Sequence, residues 1–102
     1  MRVILSKSAA RWLRTEMQHL QQRSPSAARN FAARIADARL LLGAHPEAGP
    51  VARGLPIPGS RTFVTGDYLL DYTIEPDRIV LVTIRHGRMR PPDLPIDADP
   101  GD

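Results

Sequence analysis

No cysteine occurs among the 102 residues, which excludes disulfides, thiolate metal sites and a cysteine nucleophile. The three histidines, His19, His45 and His86, lack the i,i+4 spacing of helical metal ligands, so no metal and no cofactor are expected. No apolar run approaches the roughly 18 residues of a membrane span. The opening "MRVILSKSAARW" offers only three consecutive strongly apolar residues, too short for a signal-peptide core, and a cytoplasmic protein is expected. Lysine is nearly missing too, with Lys7 the single one against thirteen arginines. Acids are scarce before the C-terminus. Residues 1–92 carry all 14 cations and seven acids, a net of +7, while "DLPIDADPGD" at 93–102 holds four acids and no base. Arginine favours planar, bidentate contacts with phosphate or carboxylate. A basic surface of this kind fits nucleic acid and an acidic protein partner equally.

The length suits one domain with one modest core. Arg2 to Leu5 reads as a short strand, after which Ser6 can accept from the free amides of a helix. From Ser8 to about Gln22, Ala9, Trp12, Leu13, Met17 and Leu20 recur at helical spacing, with Arg11, Arg14, Gln18 and Gln21 between them. Ser24 as N-cap and Pro25 at the first helical position start a second helix. Its apolar stripe is Ala28, Phe31, Ala32, Ile35, Ala38 and Leu42. So tight a joint requires a helical hairpin. The stretch Gly43 to Gly59 contains eight Gly or Pro residues, reads as a connector, and places Gly43 as the C-terminal cap.

Three strands follow. Ser60 to Thr65 leads through the turn "GD" into Tyr68 to Glu75, whose Tyr68, Leu70, Tyr72 and Ile74 share a face. "PD" at 76 and 77 turns the chain into Arg78 to Arg85, which is almost uninterruptedly apolar, as expected of a central strand. The order predicts an α+β domain over 1–92: a strand, a two-helix hairpin, then a three-stranded antiparallel meander. The helices pack on one face of a four-stranded sheet. Because a helical hairpin returns the chain toward the end it left, the first strand is expected to run antiparallel to the second. Residues 93–102 are expected to be a disordered acidic tail, having only Leu94 and Ile96 to bury.

Four segments in this order carry a family resemblance: "SPSAARNFAARI", "LLLGAHPEAGP", "LPIPGSRTFVTGDYLLDYTI" and "RIVLVTIRHGRMRPP". Together they run over nearly all of Arg2 to Pro92, and the chain resembles a ParE-type toxin of the ParE/RelE superfamily. The resemblance implies the toxin of a type II toxin–antitoxin pair, neutralised by a cognate ParD-like antitoxin, with DNA gyrase as target and no enzymatic activity. The alternatives are a RelE-like ribosome-dependent mRNA endonuclease, for which ribosome and mRNA would be partners, and a degenerate toxin that only binds antitoxin.

The residues discriminate between the two chemistries. RNA cleavage by the 2′-hydroxyl needs a group to take its proton, cations on the phosphate and an acid for the leaving oxygen. Arg61 and Arg85 could supply cations and His86 could act near neutral pH. The tyrosine that RelE-like relatives carry after the last strand is absent from "HGRMRPPDLPIDADPGD", and the lysines of their second strand are missing too. No catalytic residue is therefore assigned. Arg61, Arg85, His86, Arg88 and Arg90 are expected to contact target or antitoxin, the arginines converging at one end of the sheet. For His86, fixing the turn by bonding a backbone carbonyl is favoured over catalysis, because no second acid–base group is recognisable nearby. Trp12, Leu13, Met17, Leu20, Phe31 and Ile35 are candidates for an antitoxin groove, although core packing claims most of them.

Overall fold

The computed structural model describes residues 1–52 and 57–87. Strand β1 (Arg2–Leu5) ends at Ser6, whose Oγ accepts from the Ala9 amide at 3.0 Å and so caps helix α1 (Lys7–Arg23). One residue then separates α1 from α2 (Pro25–Ala44). Ser24 donates its N–H to Leu20 O at 2.7 Å and accepts from the Ala27 amide at 3.2 Å, closing one helix and opening the next. Strands β2 (Arg61–Thr65), β3 (Tyr68–Ile74) and β4 (Arg78–His86) complete the fold. The two-residue turn between β2 and β3 uses Gly66 at φ +59°. Gly87 N–H, just past β4, donates to Asp67 O and ties the strand end to that turn.

The sheet order is β1-β4-β3-β2; β2, β3 and β4 form the expected antiparallel meander, and β1 pairs parallel to β4. β1 therefore runs parallel to β2, against the expectation. The reason lies in α1, which does not turn back at Ser6. It continues past the end of β1 toward the far half of β4, where Glu16 and Trp12 meet Tyr68, the register partner of His86. Only α2 reverses, bringing Gly43 back beside Met1, whose ammonium donates to Gly43 O at 2.7 Å. From there the connector leads into β2, which begins level with Leu5 and runs in the direction of β1.

Gly43 also corrects its expected role as cap. The helix runs through Ala44 with His45 as C-cap, and a Cβ on Gly43 would stand 2.7 Å from Met1 O, so the glycine serves close approach. The core joins Ala9, Phe31, Ile35, Ala38 and Leu42 of the helices to Val3, Leu70, Tyr72, Ile79, Leu81 and Ile84 of the sheet. Full burial of side chains such as Leu42 or Ile79 contributes about 1.5–3 kcal/mol each. Ile74, expected on the same face, is exposed at the end of β3.

Asp71 of β3 faces Thr83 of β4, yet the next residue, Tyr72, faces Leu81, so Val82 is an extra residue in β4. Ser6 holds this bulge: its N–H donates to Leu81 O at 2.9 Å and its hydroxyl to Val82 O at 2.7 Å. The bulge reverses which face the last residues of β4 occupy.

Candidate functional site

Arg85 lies on the sheet face away from the helices, where it meets Asp71. Its Nε donates to Oδ2 at 2.8 Å and its Nη2 to Oδ1 at 3.3 Å. Thr62 and Thr83, the cross-strand neighbours of Asp71, donate their hydroxyls to Oδ1 at 2.6 Å and Oδ2 at 2.5 Å. The pair is largely withdrawn from water, with side-chain exposures of 13% for Arg85 and 4% for Asp71. Burial pushes the Asp71 carboxyl upward, but the bonds from Arg85, Thr62 and Thr83 and the Arg85 charge outweigh it and hold its pKa below the ordinary value.

Arg61 does something different. It occupies the β2 position opposite Tyr72, and its Nη1 donates to Gly49 O at 2.7 Å and Glu47 O at 3.4 Å. Tyr72 Oη donates to Pro46 O at 2.6 Å and accepts from the Gly49 amide at 3.0 Å. Burial raises the Tyr72 pKa above its usual value. Together the two side chains hold the start of the connector, whose Pro50 and Ala52 then bond the flanks of β2.

His86 sits on the helix side of the sheet, its ring centroid 4.8 Å from that of Tyr68. Tyr68 also stacks on Phe31 at 4.7 Å, meets Trp12 edge-on at 6.0 Å, and donates its hydroxyl to Glu16 Oε2 at 2.9 Å. Burial, then the Glu16 hydrogen bond and charge, push the phenol up to about 12. Trp12, Leu13, Met17 and Leu20 pack against the core while keeping part of their surface exposed, whereas Phe31 and Ile35 are each only 4% exposed. A separate shallow groove beside β1 is lined by Met1, Val3, Ala36, Arg39, Leu40 and Gly43. Leu40 is 74% exposed there, and Arg39 Nη2 donates to Val3 O at 2.9 Å.

Arg61 and Arg85, the two of the four expected arginines that are described, do not converge. Arg61 serves the connector and Arg85 the opposite face, while His86 lies across the sheet from Arg85. Arg88 and Arg90 lie outside the described residues. Sequence reading passed over Asp71, Thr62 and Thr83; the available signal was a lone acid inside the apolar strand "YLLDYTI". Chemically, the Arg85 guanidinium is largely buried and its charge and Nε–Nη2 edge are committed to Asp71, and a phenol near 12 that already donates to Glu16 is a poor acid–base group at neutral pH. No group of three His, Asp or Glu residues able to hold a metal occurs among the described residues. No helix among the described residues is long and apolar enough to cross a membrane.

These features define a small α+β protein with a mixed, open four-stranded sheet under a helical hairpin, with Arg61, Asp71 and Arg85 of the sheet committed to structural bonds. Residues 3–91 match the model of the ParE toxin of the type II toxin–antitoxin system, parDE, and the chain belongs to that family. The family is consistent with action by binding rather than by catalysis. A chain of the chromosomal ParDE TA system from P. aeruginosa has a similar fold, with a TM-score of 0.68 at 19% identity over 84% of this chain and 95% of that one. No curated protein matches the sequence significantly.

Proposed function

We propose that this toxin inhibits DNA gyrase by binding it in the cytoplasm and is neutralised by a ParD-like antitoxin. Family membership supports the reading, and the observation that carries it against RNA cleavage is the Asp71–Arg85 pair. It commits the Arg85 guanidinium to a carboxylate on the open face, with His86 on the other face. For the antitoxin, the groove beside edge strand β1 and the partly exposed Trp12, Leu13, Met17 and Leu20 offer apolar contacts to an amphipathic segment. Purified toxin is tested in gyrase supercoiling and cleavage assays, in parallel with translation of a defined messenger. Stabilised cleaved DNA with intact messenger supports the proposal. Untouched gyrase with codon-phased cuts in the messenger overturns it. Addition of a ParD-like antitoxin is expected to restore supercoiling.

A further inference from the structure

Helix α1 buries Ala9 and packs Leu13, Met17 and Leu20 against the core, which fixes its opposite side toward solvent. Lys7, Arg11, Arg14, Gln18 and Gln21 recur there at heptad-like spacing, and all five are exposed. The cations sit about 6 and 4.5 Å apart along the axis. The only acid of α1, Glu16, lies on the other side and accepts from Tyr68. The ion pairs among the described residues, Arg78–Glu75 and Arg85–Asp71, use none of the α1 cations. We infer that this face of α1 docks on the phosphate backbone of duplex DNA, a contact made by the toxin itself and independent of gyrase.

Three observations select that partner. A protein partner would want an apolar centre to its interface, but the large exposed hydrophobic side chains of the described residues all lie outside α1. Backbone recognition instead uses Arg and Lys with amide and hydroxyl donors, and Gln18, Gln21, Ser8 and Thr15 supply these on the same exposed surface. Single-stranded nucleic acid is held by stacking on aromatic side chains, whereas Trp12, the one aromatic of α1, is packed against Phe31 and Tyr68. A straight row of cations with no stacking surface suits a regular duplex.

The test is fluorescence anisotropy of the full chain with a mixed-sequence DNA duplex, without gyrase, between about 50 and 200 mM salt. Three phosphate contacts imply an affinity loss of about 40-fold across that range. In R11Q/R14Q the log–log salt slope should be shallower by about 1.8, and in K7Q/R11Q/R14Q by about 2.7. These positions point away from the core, and unchanged urea midpoints confirm that the variants fold. No duplex binding by the folded wild type, or an unchanged slope in the triple variant, overturns the inference. Tighter binding of single-stranded DNA, of an RNA duplex, or of a poly-glutamate peptide of matched charge overturns the choice of partner.

Discussion

Replacing Asp71 with Ala tests whether the pair on the open sheet face is a structural element. The substitution removes the acceptor of four hydrogen bonds and leaves a guanidinium only 13% exposed without its counter-charge, beside two orphaned threonine hydroxyls. Removing one partner of a buried ion pair costs about 3–5 kcal/mol, a large share of the roughly 5–15 kcal/mol that holds a domain together. At about 4–8 °C per kcal/mol the melting point should fall by at least about 12 °C. Urea unfolding can be followed through Trp12, the single tryptophan, whose ring packs edge-on to Phe31 and Tyr68. In the double variant D71A/R85A the loss should be well below the sum of the single losses, because the second change removes the stranded charge. The acid limb supplies a second readout. Since the native pKa lies below the unfolded value of about 3.9, the contribution is complete above that value and is lost as pH falls through the native pKa. D71N should flatten this part of the stability profile. A loss in D71A below about 1 kcal/mol, the worth of a solvent-exposed pair, would refute the reasoning.

Other substitutions probe the remaining contacts. Tyr68→Phe should lose about 1–2 kcal/mol, read from the urea midpoint, by deleting the bond to Glu16. Because the native phenol titrates at about 12, wild-type stability should also decline as pH rises from 10 toward 12, and the decline should shrink in Y68F. Tyr72→Phe, which frees Pro46 O and the Gly49 amide, should cost about 1–3 kcal/mol and speed hydrogen exchange at Gly49. Gly49→Ala would put a Cβ 2.7 Å from Thr62 O and 3.0 Å from the Tyr72 ring, and a loss of about 1–3 kcal/mol in urea unfolding is expected.

Periodicity and capping chemistry made most of the fold legible. The stripes of Ala9 to Leu20 and Ala28 to Leu42, with Ser6 and Ser24 as caps, are local signals, and local hydrogen bonds realise them. What could not be read is set by contacts distant in sequence. The parallel pairing of β1 depends on α1 continuing past the strand end until Glu16 and Trp12 find Tyr68, 52 residues from Glu16 along the chain. Gly43 resembles a helix stop because glycine suits caps, but its use here is decided by Met1 across the fold. Arg61 looked like a free cation for the same reason: the Gly49 carbonyl that engages it belongs to a connector whose course no local rule predicts.

The bulge at Val82 connects this limit to function. Strict alternation from Ile79 and Leu81 would carry Thr83 and Arg85 to the helix side and leave Ile84 and His86 on the open face. One extra residue reverses all four, and no glycine or proline in "RIVLVTIRH" marks the place. The determinant is Ser6, which binds Leu81 O and Val82 O where β1 ends and α1 begins. As a result the guanidinium meets Asp71 on one face and the imidazole meets Tyr68 on the other. A phosphodiester between those faces cannot be reached by both groups. The segment whose composition suits phosphate chemistry is thereby divided by a single register step, and its cation becomes part of the scaffold.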